Sequence, residues 1–253
     1  MTPTEQRVAL ITGAGAGLGW ATAQRLADDG MRVICLGRGE NVVARAAELR
    51  SRGKEADSEI VDVADAQAVT AGVKNILARH GRIDVLVNNA GFGLIVNGRS
   101  LDIHETTDEN WGLMMAVHLT APFIFSRELL PMMRSNGWGR IINISSRAGR
   151  TGLAVADPGY SAAKAGLIGL TRFLAVKVAA DGVTVNAIAP GRFPTNATAG
   201  MDEAIVSRAR AAIPVQREGR PKELAATVSF LASEDGGFIT GATLDVNGGA
   251  FIG

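Results

Sequence analysis

Val8-Ala9-Leu10-Ile11-Thr12-Gly13-Ala14-Gly15-Ala16-Gly17-Leu18-Gly19 is an apolar run that dissolves into small residues, and the alanine-rich amphipathic segment 20–29 follows it. Strand, glycine turn, helix is the context in which a glycine-rich loop holds phosphate. Backbone N–H groups at a helix N-terminus face an anion, and glycine lets the backbone approach it. The spacing is Gly13, Gly17, Gly19 rather than the commoner G-x-G-x-x-G. With its strand and helix attached, the turn containing Gly13, Gly15, Gly17, Leu18 and Gly19 is read as a nucleotide site.

Working outward, strand and helix patterns alternate. Residues 32–36, 56–61 and 84–87 read as strands, and 41–50 and 66–79 as helices. Further strands are expected at 139–142, 183–189 and 243–246, and helices over 202–212 and 223–233. Such alternation implies an α/β fold: one doubly wound (Rossmann-type), mostly parallel seven-stranded sheet with helices on both faces, as a single domain over 1–253. Ligands bind such sheets beyond the carboxyl ends of the strands. Those ends, Thr12 to Gly19, Gly37-Arg38, Asp62-Val63 and Asn88-Asn89-Ala90-Gly91, all carry small or polar residues.

The second strand bears on the cofactor. An acid at its tip would bind the ribose 2′-hydroxyl of NAD, whereas an arginine suits the 2′-phosphate of NADP. The tip reads Leu36-Gly37-Arg38, with no acid until Glu40. Arg38 therefore favours NADP(H), with NAD(H) as the alternative if Arg38 only caps the strand in solvent.

The chemistry is concentrated in residues 143–164, N-I-S-S-R-A-G-R-T-G-L-A-V-A-D-P-G-Y-S-A-A-K, which hold the only tyrosine of the chain. In a helix over 160–169, Tyr160 and Lys164 share one face. A phenol, an ammonium and a serine hydroxyl make an acid–base site for an alcohol or a carbonyl. A phenol of ordinary pKa near 10 is about one part in a thousand ionised at pH 7. A cation about 5 Å away at an effective dielectric of about 20 supplies roughly 3 kcal/mol, so Lys164 is expected to lower the Tyr160 pKa by about two units.

Together these residues resemble the short-chain dehydrogenase/reductase family over nearly the whole chain, in its 3-oxoacyl-reductase-like branch. Thr12-Gly13-x-x-x-Gly17-x-Gly19 is similar to its cofactor turn, Asp62-Val63 to its adenine contact, and Asn88-Asn89-Ala90-Gly91 to the motif that steadies the sheet beside the cofactor. The resemblance gives Ser146, Tyr160 and Lys164 catalytic roles, with Ser145 as the alternative serine. It places Pro190-Gly191 with Thr195 at the nicotinamide carboxamide, and likens the closing Ile239-Thr240-Gly241 and Val246-Asn247-Gly248-Gly249 to the family's C-terminal strand. In the family, an asparagine seven residues beyond a tryptophan holds a water linking the lysine to solvent; counting from Trp111 gives His118 instead. A neutral imidazole can bind that water in its place, or shuttle the proton itself with an unperturbed pKa near 6.5, or the histidine only fills helix space. The implied activity is hydride transfer between NADP(H) and a ketone or secondary alcohol, as in a 3-oxoacyl-thioester reductase. Sugar, polyol or steroid dehydrogenases and a non-catalytic nucleotide-binding relative are the alternatives.

Composition narrows the partners. The net charge of +1, without a basic tract, speaks against nucleic acid or an anionic membrane surface. No signal-peptide core and no apolar run of membrane-spanning length is read from the chain. The lone Cys35, in an apolar strand, fits a reducing cytoplasm. No metal enters this reading. Residues 192–220, rich in small residues, are expected to form a substrate lid. Arg147, Arg150 and Arg192 are read either as anion contacts or as surface charges, and Leu94, Val96, Met114 and Met201 either as substrate-facing surface or as core. The resemblance implies a homotetramer, or a homodimer, and the apolar run 162–178 is compatible with such an interface.

Overall fold

Residues 6–194 and 202–253 are described by a computed structural model. Thr195 and Met201 of the sequence reading lie outside the described residues. Strands β1 (Val8–Thr12), β2 (Arg32–Gly37), β3 (Ala56–Ile60) and β4 (Val85–Asn88) alternate with helices α1 (Gly17–Asp28), α2 (Asn41–Ser51) and α3 (Ala66–His80). A short hairpin, β5 (Ile95–Val96) and β6 (Arg99–Ser100), which the sequence reading did not anticipate, leads to α4 (Asp108–Met115) and α5 (Ala121–Ser135). There follow β7 (Gly139–Ile144), α6 (Pro158–Val178), β8 (Val183–Pro190), α7 (Glu203–Ala211), α8 (Pro221–Ala232) and β9 (Thr243–Val246). Seven of the strands form one parallel sheet in the order β3-β2-β1-β4-β7-β8-β9.

The strands are buried on both faces, so side chains of alternating residues enter different cores. Val8, Leu10, Ile34 and Leu36 pack with Val73 of α3, Phe125 of α5 and Val178 of α6. Ala9, Ile11, Val33 and Cys35 pack with Leu26 of α1, Leu49 of α2 and Val228 of α8. Burial pushes the Cys35 thiol up to about 12, which leaves it an unreactive core residue.

The strand order turns around between β1 and β4, and that switch point creates the cleft in which doubly wound sheets bind ligands. Two tips are sewn together there. Thr12 Oγ1 accepts hydrogen bonds from the backbone N–H groups of Asn89 and Ala90, each at 2.9 Å, and Asn89 Nδ2 donates to the Thr12 carbonyl at 2.9 Å.

Residues 108–135 run as one continuous helix, long and apolar enough by length and composition to cross a membrane, which corrects the expectation that no such run exists. The apolarity has a local reason: Met114, Val117, Phe125, Leu129 and Met133 are core residues of the α/β fold. Met114 is therefore core and not substrate surface. The helix widens into a π turn at Ala116–Thr120, centred on His118. Such a turn inserts an extra residue and re-aims the side chains beside it.

Candidate active site

One cleft of about 370 Å³ opens along the carboxyl edge of the sheet. At one end it is lined by Gly13, Gly17, Leu18, Gly19, Asn89 and Gly91, and at the other by His118, Ser146, Tyr160, Lys164, Pro190 and Gly191. Residues predicted from the sequence thus converge from the tips of four strands, β1, β4, β7 and β8, and from the two helices that carry His118 and Tyr160. Gly15, Arg38, Asp62, Val63 and Ala90 do not line it. Gly15 faces α2, where a side chain would meet Asn41 at 2.2 Å. Asp62 is exposed and its carboxylate accepts from the N–H of Ala64 at 2.9 Å. Val63 packs against the core. Ala90 is spent on Thr12.

The glycine end fits a dinucleotide. α1 starts without a side-chain cap, its preceding residue being Ala16, so its first N–H groups are left to whatever enters the cleft. Gly13 has φ +68°, and a Cβ on Gly19 would lie 2.3 Å from the Gly13 carbonyl oxygen, so the turn closes only with glycine there. Arg38 is exposed at the tip of β2 and, among the described residues, has no carboxylate partner. Its guanidinium carbon stands 5.9 Å from the Phe92 ring centroid.

At the chemical end, α6 is launched by Asp157, whose carboxylate accepts the Tyr160 N–H at 2.8 Å, with Pro158 in the first turn. That Asp-Pro pair fixes where the helix starts and so where Tyr160 points. Ser146 caps a short 3-10 turn, Arg147–Gly149, its hydroxyl accepting the Ala148 N–H at 3.1 Å. A side chain on Gly149 would come within 2.6 Å of the Lys164 backbone, so this turn lies hard against α6. Ser145 is buried and donates to the Lys164 carbonyl at 2.9 Å, so of the two serines it is Ser146 that faces the phenol.

Lys164 is buried, and its Nζ donates to the Ile144 carbonyl at 2.7 Å, a backbone partner that no side-chain pattern reveals. Burial brings its pKa down to about 7. Burial also holds the Tyr160 phenol above its ordinary value, partly offset by a hydrogen bond with Ser146. This corrects the expectation that Lys164 depresses it. The desolvation that keeps the ammonium from being fully charged acts on the phenol too, and the Nζ sits 5.6 Å from the ring centroid, turned to Ile144.

His118 is buried, with Nε2 2.9 Å from the Phe92 carbonyl. A carbonyl only accepts, so Nε2 carries the proton and Nδ1 the lone pair; Nδ1 is buried without a partner. The ring stands edge-on to Tyr160, centroids 4.9 Å apart at 82°. Burial, aided by the Lys164 charge, drives its pKa well below the ordinary value. This corrects the expectation of an unperturbed, proton-shuttling imidazole. Phe92 was missed from the sequence; the available signal was an aromatic immediately after Asn-Asn-Ala-Gly in an aromatic-poor chain.

The three arginines near the cleft are engaged within the chain. Arg150 pairs with Asp245 at 3.0 Å, Arg192 with Glu218 at 2.7 Å, and Arg147 donates to the Ala250 carbonyl at 3.2 Å. Val96 is exposed on the hairpin.

The family model described as "Enoyl-(Acyl carrier protein) reductase" matches residues 13–250. "Nodulation protein G" of Azospirillum brasilense is 42% identical, over 96% of this chain and 98% of its own. "Acetoacetyl-CoA reductase" of Rhizobium meliloti is 41% identical, over 97% and 99%. Among solved structures, an actinorhodin polyketide ketoreductase with NADPH superposes with a TM-score of 0.89 at 35% identity, covering 99% of both chains. With sheet order, glycine turn and the Tyr160–Lys164 helix all in agreement, the chain belongs to the short-chain dehydrogenase/reductase family.

Proposed function

We propose that this protein is an NADPH-dependent reductase of 3-oxoacyl thioesters, running hydride transfer between nicotinamide and a ketone or secondary alcohol. The observation that carries the reading is the single cleft joining an uncapped helix start to Ser146, Tyr160 and Lys164. Its remaining wall is mostly apolar, with Ile95, Leu153, Val155, Phe193 and Ile213, its charged members Arg147, Asp157 and Arg192 being bound within the chain, and suits an acyl chain better than a polyol. The relative named for acetoacetyl-CoA supports the thioester, and the solved relative with NADPH supports the cofactor, as does Arg38.

When bound, the nicotinamide supplies or takes the hydride. The chain's own groups do the rest. Ser146 donates to the substrate oxygen and orients it. Tyr160 gives its proton to that oxygen in reduction and removes it in oxidation. A phenol held above its ordinary pKa is protonated at neutral pH, the form that reduction requires. Lys164, seated on the Ile144 carbonyl, would hold the nicotinamide ribose hydroxyls. His118 acts as a neutral hydrogen-bonding group beside them. Gly13, Gly17, Leu18 and Gly19 would cradle the pyrophosphate, with Gly15 leaving room for Asn41 behind the turn. Arg38 would take the 2′-phosphate, Asp62 and Val63, outside the lining of the cleft, would bound the adenine, Asn89 and Gly91 would face the ribose side with Ala90 fixed on Thr12, and Pro190, Gly191 and Thr195 would meet the carboxamide.

In this reading the whole chain is one domain, residues 192–220 are the lid, of which 195–201 lie outside the described residues, the compartment is the cytoplasm and the assembly is a homotetramer, or a homodimer. Exposed Trp111, Phe123, Phe173 and Val176 on the helices of one face support the assembly. Light scattering after size-exclusion chromatography checks it: a monomer at micromolar concentration refutes it. The activity is tested by following NADPH consumption with acetoacetyl-CoA against a panel of sugars, polyols and steroids. Turnover with the panel and none with the thioester would reverse the substrate assignment.

A further inference from the structure

Five side chains stand in file from the tip of β2 to the first turns of α6. The Arg38 guanidinium lies 5.9 Å from the Phe92 ring centroid, and the Phe92 and His118 rings are 6.0 Å apart, tilted at 51°. His118 meets Tyr160 edge-on at 4.9 Å, and the Lys164 Nζ ends the file, 5.6 Å from the Tyr160 ring centroid. Each step falls within the range over which a cation feels a ring quadrupole, about 6 Å, or two rings orient each other, about 4.5–7 Å. Phe92 is held twice, because its carbonyl also accepts the His118 Nε2–H at 2.9 Å. The imbedding is tight: a Cβ on the preceding Gly91 would lie 2.6 Å from His118 Cε1, so the imidazole rests directly on the backbone that carries Phe92. The backbone of Phe92 is fixed on His118, its ring faces the imidazole, and His118 abuts the phenol.

The geometry points to Phe92 as a positioning residue that joins the nucleotide-selecting end of the cleft to Tyr160: an anion held by Arg38 is felt at the phenol through Phe92 and His118. The inference rests on the reading of Arg38 as the 2′-phosphate contact. An anion on Arg38 draws the guanidinium and neutralises the charge facing the Phe92 ring, and so shifts the preferred position of that ring. The two nucleotides therefore differ in how well the catalytic end is set, and not only in how tightly they bind. Coupling of this kind requires such a difference between the two bound states.

Steady-state kinetics with NADPH and NADH, each at saturation, tests this on the intact protein and on Phe92→Leu, which keeps the backbone carbonyl and the apolar bulk but removes the aromatic face. The expected result is a kcat about three- to tenfold higher with NADPH than with NADH in the unaltered protein. In Phe92→Leu that ratio falls to within about twofold of unity while the KM preference for NADPH remains. Arg38→Ala loses the KM preference. If Arg38→Ala leaves it intact, the 2′-phosphate reading itself is wrong; if Arg38→Ala abolishes it but the kcat ratio is unity from the start or survives in Phe92→Leu, only the coupling is wrong. A second measurement needs no variant. The imidazole nitrogen resonances of His118 are expected to shift on adding adenosine 2′,5′-bisphosphate and to stay in place with adenosine 5′-monophosphate, neither of which carries a nicotinamide. Identical spectra with the two nucleotides overturn the coupling.

Discussion

Lys164 Nζ donates a 2.7 Å hydrogen bond to the carbonyl of Ile144, the last residue of β7, and so ties the middle of the site to the edge of the sheet. The ammonium is buried there, its pKa lowered to about 7 by desolvation, and it stands beside a phenol whose pKa burial has raised. Both groups are thereby held closer to neutrality than they would be in water, which suits a site that must pass a proton to a developing alkoxide.

Stability should report this directly. In the unfolded chain the lysine titrates near 10.4, and in the fold near 7, so between those values the unfolded state binds more protons. The cost of burying the charged form is fully present below about pH 7 and disappears as pH rises toward 10.4. Unfolding free energies of the intact protein minus those of Lys164→Met should therefore be flat below about pH 7 and rise above it, by at most about 1.4 kcal/mol per pH unit. Urea titrations across that range check the sign; a difference that falls with rising pH contradicts the burial argument.

Removing the phenol oxygen tests the general acid. Tyr160→Phe should lose about 10²- to 10⁴-fold in kcat. The thermal midpoint and NADPH affinity should hardly change, because the hydroxyl points into the cleft and the helix start is held by Asp157 on the backbone. Turnover within tenfold of the parent would assign the proton to another group.

For His118, the bond to Phe92 and the low pKa predict a neutral imidazole across the working range. The acid limb of the kcat profile should therefore stay where it is in His118→Gln, which can still donate to the Phe92 carbonyl, with kcat within about threefold. His118→Leu, of similar bulk but with no donor, should lose about 2- to 13-fold, as expected for one hydrogen bond of about 0.5–1.5 kcal/mol. Parent-like kcat in His118→Leu would reduce the residue to packing.

Arg38 is exposed, so its substitution should leave the fold alone. Arg38→Ala should weaken NADPH binding about 10- to 100-fold, the value of a charge-assisted contact of 1.5–3 kcal/mol, and leave NADH unchanged. Fluorescence titration with the two nucleotides decides the point.

Two glycines make opposite predictions. Gly19→Ala places a Cβ 2.3 Å from the Gly13 carbonyl oxygen and 2.5 Å from Asn89 Nδ2, and should destabilise by about 1–3 kcal/mol while impairing nucleotide binding. Gly169→Ala, inside α6 with nothing of its own chain within 4 Å, should stabilise the isolated subunit by about 0.5–1 kcal/mol. Chemical denaturation of the pair separates steric closure from mere helix propensity.

What the sequence by itself determined is whatever depends on short spacing and repeated pattern. Alternating apolar runs dictated a parallel sheet because strands buried on both faces have no other composition to use. The glycines from Gly13 to Gly19 were legible because only residues without a side chain close that turn. Tyr160 and Lys164 were legible because four residues make about one helical turn. The tertiary structure alone decided what lies across the cleft. It distinguished Ser146 from Ser145, gave Lys164 a backbone carbonyl for a partner, turned Met114 into core, and engaged Arg147, Arg150 and Arg192 inside the chain. It also set the ionisation of the site. The expectation of a depressed phenol and an ordinary imidazole failed because pairwise charge at an assumed distance says nothing about desolvation, and desolvation is the sum of every atom that folding packs around Tyr160, Lys164 and His118.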